Sequence, residues 1–159
     1  MKGGDVMSNE AGQIIVFDIG EEKFGVKITE VHEIIRMKQI TELPINSPYI
    51  AGIINLRGDI ISVIDLRKRF GIEDIAEDDD TRIIVVEFEG QNVGLIVDAV
   101  SEVLHIDESK VDVPPRSMSG IKNDYIRGII KVGEHIVILL ELANLLKSKE
   151  KIELDNESQ

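Results

Sequence analysis

A chain of 159 residues with 43% hydrophobic content holds one ordinary packed domain or two very small ones, and its 18 basic against 30 acidic residues leave a net charge of −12 that repels phosphate backbones and anionic lipid. Aromatic content of 4% with no tryptophan removes the stacking platforms of a single-strand nucleic-acid binder, and the lack of cysteine excludes disulfides and thiolate metal sites. No apolar run approaches the ~20 residues of a membrane span and the first residues lack the apolar core of a signal peptide, so a cytoplasmic protein with neither nucleic acid nor inserted membrane as partner is expected.

Residues 1–12, rich in Gly, Asp, Asn and Glu, cannot bury apolar area and are expected to be mobile. The run Ile14 to Ile19 predicts a strand, Gly20-Glu21-Glu22 turns the chain, and Phe24 to Ile28 returns as hairpin partner. Next, Thr29 would cap a helical turn carrying Val31, Ile34 and Ile35, the i, i+3, i+4 spacing of one helix face, which reads as core. A short strand around Lys38 to Leu43 leads to Pro44 and Pro48, which break structure ahead of a second hairpin. In that hairpin, Tyr49 to Leu66, the β-branched runs Ile53-Ile54 and Ile60 to Ile64 flank Arg57-Gly58-Asp59, where Gly58 can take a positive φ. A short helix, Leu66 to Phe70, would plug the barrel so formed. The acidic stretch Glu73 to Asp80 is a surface connector, for its three aspartates lack the alternating ligands, central Gly and distal Glu of a calcium loop.

Beyond the connector the chain repeats itself. At an offset of 69, Ile14–Ile35 lies on Ile83–Leu104, matching Gly25 to Gly94, Val31 to Val100 and Glu33 to Glu102. At an offset of 76, Tyr49–Leu66 lies on Tyr125–Leu142 without a gap, identical at seven of eighteen positions, which is too many for chance in so short a stretch. The order A-B-A′-B′ means that the whole fold unit is duplicated, and repeats decide architecture first. The second copy predicts a turn capped by Asp98 with Val100, Val103 and Leu104, a strand near Lys110 to Val113 ahead of Pro114-Pro115, a helix over Leu142 to Leu146, and a mobile tail over residues 148–159. Gly52 and Gly128 fall inside strand pattern, where glycine marks a bulge or a close backbone approach. Five short strands per half favour a small barrel, because closure removes exposed edges. The expectation is a mainly β protein of two pseudo-symmetric five-stranded barrels packed together, divided at 13–77 and 78–147, in which the repeat order permits strand exchange.

The catalytic inventory is close to empty: there is no Gly-x-x-x-x-Gly-Lys loop, no Gly-x-Ser-x-Gly elbow and no Cys nucleophile. His32-Glu33 would need a second histidine where Arg36 stands to make a zinc-protease helix. His32, His105 and His135 therefore read as isolated surface residues, and a histidine-dependent phosphotransfer protein built on them with nearby carboxylates is the rival reading. More informative is where the copies diverge. Asn55-Leu56-Arg57-Gly58 faces Lys131-Val132-Gly133-Glu134, so the first copy alone offers a planar fork of donors at its hairpin tip.

Gly25, Val31, Glu33 and Ile34, the run Gly-Ile-Ile-Asn-Leu-Arg-Gly with Ile-Asp-Leu-Arg between Gly52 and Arg67, and Val-Gly-Leu-Ile-Val-Asp-x-Val from Val93 to Val100 resemble the CheW family, the adaptors of bacterial chemotaxis, over about residues 13–147. The resemblance implies SH3-like barrels, no catalysis and no cofactor. It implies two binding surfaces: one for the cytoplasmic tip of a chemoreceptor, carried over to Glu33, Leu56, Arg57 and Val100, and one for the regulatory domain of the histidine kinase CheA, carried over to Val31 and Gly52. A protein of this kind would work at receptor arrays on the inner face of the membrane. A CheW-like scaffold of a different two-component array shares the same chemistry and differs only in partners.

Overall fold

The computed structural model describes residues 12–44, 49–73, 76–113 and 125–146, so residues 1–11, the tail over residues 148–159, Pro48 and the Pro114-Pro115 break lie outside the described residues, while Gly12, expected in the mobile end, is buried and its carbonyl accepts from the Ile106 N–H at 2.6 Å. Ten strands form two five-stranded sheets. The strands are β1 (Gln13–Ile19), β2 (Glu22–Lys27), β3 (Val31–Arg36), β4 (Ile50–Leu56), β5 (Asp59–Asp65), β6 (Arg82–Phe88), β7 (Gln91–Val97), β8 (Ala99–His105), β9 (Ile126–Val132) and β10 (His135–Leu140). Two short helices, α1 (Leu66–Arg69) and α2 (residues 142–146), follow β5 and β10.

The sheets run β8-β1-β2-β10-β9, here barrel 1, and β3-β6-β7-β5-β4, here barrel 2. The first hairpin is thus hydrogen-bonded into the barrel of the second copy, and β6–β7 into that of the first. The joins are parallel and equivalent: Gly25 stands opposite Leu139 as Gly94 stands opposite Val63, the same pair displaced by 69 and 76 residues. The sequence repeat divides near residue 77, whereas the strands of barrel 2 occupy the continuous span 31–97 and those of barrel 1 lie on either side of it. One barrel is inserted into the other.

Burial explains why β1, β6 and β10 read as aliphatic runs rather than as alternations, since both of their faces are covered. Ile14 and Val16 fill barrel 1 with Ile130, Val137 and Leu139, while Ile83 and Val85 fill barrel 2 with Ile54, Ile61 and Val63. The intervening residues, Ile15, Phe17 and Ile19 of β1 and Ile84 and Val86 of β6, turn the other way into a third cluster shared by both barrels. A file of rings crosses that shared core, Phe17 to Phe24 at 6.1 Å, Phe24 to Phe70 at 5.0 Å and Phe70 to Tyr125 at 6.5 Å between centroids. Burying such rings contributes roughly 2–3 kcal/mol each and holds the two barrels as one body.

Three local expectations are corrected. The helical turns at Val31 and Val100 are strands, β3 and β8, because pairing with β6 and β1 overrides an accidental helical spacing. Along β3 exposure alternates, with Val31, Glu33 and Ile35 turned inward and Ile34 outward, and only a three-residue 3₁₀ turn, Ile28–Glu30, precedes it. The strand around Lys38 to Leu43 shrinks to one bridge, Thr41 to Ile53, and its counterpart near Lys110 to Val113 to the bridge Asp112 to Ile129. Finally, the helices do not plug the barrels. Leu66 and Phe70, and Leu142, Leu145 and Leu146, enter the shared core instead. Asp65 caps α1, its carboxylate accepting from the Arg67 backbone N–H at 3.0 Å.

Candidate binding surfaces

The β4–β5 turn places Arg57 at the tip of barrel 2. Both central residues have positive φ, Arg57 at 51° and Gly58 at 93°, the type I′ geometry that matches the twist of the flanking strands. The Asn55 side-chain oxygen accepts from the Gly58 N–H at 2.8 Å and closes the turn. In the second copy the position of Arg57 is held by Gly133, at φ 60°. The first copy therefore places a residue with a Cβ where glycine is the relaxed choice. A similar exchange occurs at Glu89, φ 52°, opposite Gly20, so a left-handed backbone alone does not mark a site. Arg57 is marked instead by the two-point pairing that its guanidinium makes with a carboxylate.

From the middle of β3, Glu33 meets the Arg57 guanidinium with both carboxylate oxygens: Nη1 donates to Oε1 at 3.3 Å, and Nη2 to Oε2. This two-point pairing is the planar recognition for which arginine is suited. The hydrogen bond from Arg57 holds the Glu33 carboxyl below the usual carboxylate range, with a smaller push the same way from His32, whose Nε2 lies 3.8 Å away. Lys38 donates to the Asn55 carbonyl at 2.7 Å, and an open groove of about 590 Å³ runs past Lys38, Gln39, Thr41, Asn55, Arg57 and Gly58. Sequence reasoning passed over Lys38, although Asp107 stands at its repeat position and the reversed charge was readable there.

The remaining candidates are placed as follows. Leu56, next to Arg57, is buried inside barrel 2 with Ile54 and Ile61, so its side chain supports the tip from below. Gly52 is also buried. A Cβ there would collide with the Thr41 carbonyl oxygen and stand 2.7 Å from Ile40 Cγ2, while its φ of +151° disfavours any side chain. Val31 and Val100 occupy equivalent half-buried positions, each packed against the shared core, one in each barrel. Glu33, Leu56 and Arg57 are thus brought together at one end of barrel 2, Val31 lies two residues from Glu33 on the same strand, and Val100 belongs to barrel 1. The three histidines are exposed on β3, β8 and β10, and the described residues hold no cluster of three metal-ligating side chains. No helix among the described residues is long and apolar enough to cross a membrane.

A second polar feature joins the barrels. Asp98, between β7 and β8, accepts from Arg67 Nε at 2.8 Å, from Arg67 Nη2 at 2.6 Å and from the Gly20 N–H of the β1–β2 turn at 2.7 Å. Because Arg67 lies on α1 of barrel 2 and Gly20 in barrel 1, the carboxylate stitches the two together.

A family model for the CheW-like domain matches residues 13–150. The chain is 32% identical over 154 residues to the chemotaxis protein CheW of Treponema pallidum, covering 94% of this chain and 91% of that one. It is 33% identical to the CheW of Klebsiella aerogenes, covering 98% and 97% respectively. Its fold superposes with a TM-score of 0.79 on the crystal structure of the scaffolding protein TtCheW from Thermoanaerobacter tengcongensis, at 45% identity over 85% of this chain and 87% of that one. With two interleaved five-stranded barrels and this degree of likeness along nearly its whole length, the chain belongs to the CheW family of chemotaxis scaffold proteins.

Proposed function

We propose that the protein couples the cytoplasmic tips of chemoreceptors to the regulatory domain of the histidine kinase CheA, by binding rather than by catalysis, in the cytoplasm at the inner face of the membrane. The observation that carries this reading is the difference between the copies: the Glu33–Arg57 pair stands at the tip of barrel 2, and barrel 1 has Gly133 where the arginine would be. Two related but chemically distinct ends on one body suit a bridge between two unlike partners. In this reading Glu33, Arg57 and Val100 face the receptor with Leu56 supporting the tip, and Val31 and the segment held against Gly52 contribute to the kinase side.

Titration calorimetry with a receptor-tip fragment and, separately, with the isolated kinase regulatory domain tests it. Wild type binds both, and Arg57→Glu weakens the receptor arm by roughly 10-fold or more, as for a central interface arginine, leaving the kinase arm unchanged. Loss of neither arm on substitution would remove Arg57 from the receptor face. Binding of neither partner by wild type would refute the coupling role.

A further inference from the structure

The duplication gives the molecule a pseudo-twofold axis, and its hydrogen bonds obey it closely: the Asp65 N–H donates to the Tyr49 carbonyl at 2.8 Å, and the Glu141 N–H to the Tyr125 carbonyl at 2.7 Å, each pair displaced by 76 residues. At the joint between the copies a buried side chain departs from it. Arg69, on α1, is 7% exposed, and at the equivalent position on α2 stands Leu145, 1% exposed. The Arg69 guanidinium carbon lies 4.1 Å from the centroid of the Tyr125 ring and 5.0 Å from that of Tyr49, and Nη2 donates to the Leu145 carbonyl oxygen at 3.2 Å. The two tyrosines are repeat equivalents, so a cation held between them sits at the axis. Among the described residues Arg69 enters no salt bridge; its charge is met by two ring faces and a carbonyl.

A group on a twofold axis occupies space that both copies claim, so only one copy can supply it. The first copy gives the guanidinium and the second gives an apolar side chain together with its backbone carbonyl. We infer that Arg69 is the positioning residue that fixes the angle between the barrels, and that the Arg69/Leu145 asymmetry makes the two repeats non-interchangeable at their joint. A buried planar fork suits this task, since ring planes and a carbonyl direction together fix its orientation, whereas a leucine between two tyrosines fixes none. Resting on the coupling role proposed above, the inference adds that Arg69 holds the two binding ends in register without touching either partner.

The experiment compares wild type, Arg69→Leu, Leu145→Arg and the exchanged double variant Arg69→Leu/Leu145→Arg. The chain has no native cysteine, so spin labels can be attached uniquely at Glu87→Cys on barrel 2 and Lys131→Cys on barrel 1, both exposed, and the interlabel distance distribution measured by pulsed electron resonance. Arg69→Leu broadens the distribution, Leu145→Arg broadens it by crowding two cations at one point, and the exchanged variant, with one guanidinium again at the axis, restores a narrow peak. A wild-type width for Arg69→Leu, or an exchanged variant as broad as the single ones, overturns the inference. Should Arg69→Leu fail to fold, Arg69→Lys decides, since it keeps a cation between the rings and loses the fork: a broadened peak supports the role and an unchanged one overturns it. With partners present, Arg69→Leu leaves each separate affinity in place but weakens receptor binding to the kinase-bound protein by about 5-fold or more; an unchanged ternary affinity overturns the register claim. If wild type binds neither partner, the coupling role fails, and the spin-label arm still decides the joint.

Discussion

Replacing Gly52 by alanine separates a structural demand from a docking surface at a single position. The new methyl would collide with the Thr41 carbonyl, at a backbone φ of +151° that costs ~1–3 kcal/mol for a residue with a side chain. Relieving the collision pushes the 38–44 segment away and breaks the reciprocal Thr41–Ile53 hydrogen bonds, each 2.9 Å long and worth about 1 kcal/mol. Together these come to roughly 3–5 kcal/mol, or about a 6–20 °C fall in melting temperature for a protein of this size. Gly128→Ala is the internal control. Gly128 lies outside the positive-φ region, and its added methyl would meet the Val111 side chain, which can rotate, with the Asp112 oxygen at 3.1 Å. Its expected cost is about 1–2 kcal/mol. Thermal unfolding followed by circular dichroism, with kinase-domain titration on the same samples, measures both. Melting of Gly52→Ala with wild type, or a larger fall for Gly128→Ala, would refute a structural demand at Gly52. Kinase binding lost at an unchanged melting temperature would instead make Gly52 a contact surface.

Phe24→Ala, which removes the middle of the ring file, should cost about 4 kcal/mol in urea unfolding, against less than ~0.5 kcal/mol for Ile60→Ser at an exposed strand position; equal midpoints would contradict the shared core. Asp98→Ala strips three donors of their acceptor across the barrel junction and is expected to cost about 2–3 kcal/mol by the same measurement, with no change if the junction is held by apolar packing alone. Burial first, and Glu141 second, push the Glu30 carboxyl above its usual range. Its ionisation therefore opposes folding above the folded pKa, and the penalty is relieved as pH falls through that value. Glu30→Gln should accordingly stabilise at neutral pH, by less than ~1 kcal/mol because the half-exposed group is screened, and should have no effect once the carboxyl is protonated in both states; an equal gain at both pH values would refute the assignment.

The hairpins were legible because glycines punctuate β-branched runs, and the duplication because seven identities survive in the B repeat. The insertion of one barrel in the other was not. Gly25 could lie beside Val63 or beside Leu139 without changing any local pattern, and only the three-dimensional join decides between two equally apolar neighbours. The spacing of Val31, Ile34 and Ile35 suggested a helix because Ile34, turned outward on a strand, happens to complete an i, i+3, i+4 set. At the site, the arginine could be found by comparing copies, as could the glycine it replaces. Its partner could not, since Glu33 lies 24 residues away and has a glutamate counterpart, Glu102, in the other copy. Leu56 was carried over with its neighbour although strand alternation turns it inward.

The insertion also constrains how the molecule is made. The β1–β2 hairpin leaves the ribosome ahead of barrel 2, with apolar side chains on both faces, yet the strands that flank it, β8 and β10, are not complete until residues 105 and 140. At ordinary elongation rates that is a wait of roughly 10 s, during which barrel 2, continuous in sequence apart from nothing but its own loops, can close around its own core. Barrel 1 is then assembled last, from strands on either side of the span 31–97, against a surface already formed. A nascent chain stalled before β10 would display the first hairpin unsheltered, which makes residues 13–27 the segment where a chaperone would be expected to hold this protein during synthesis.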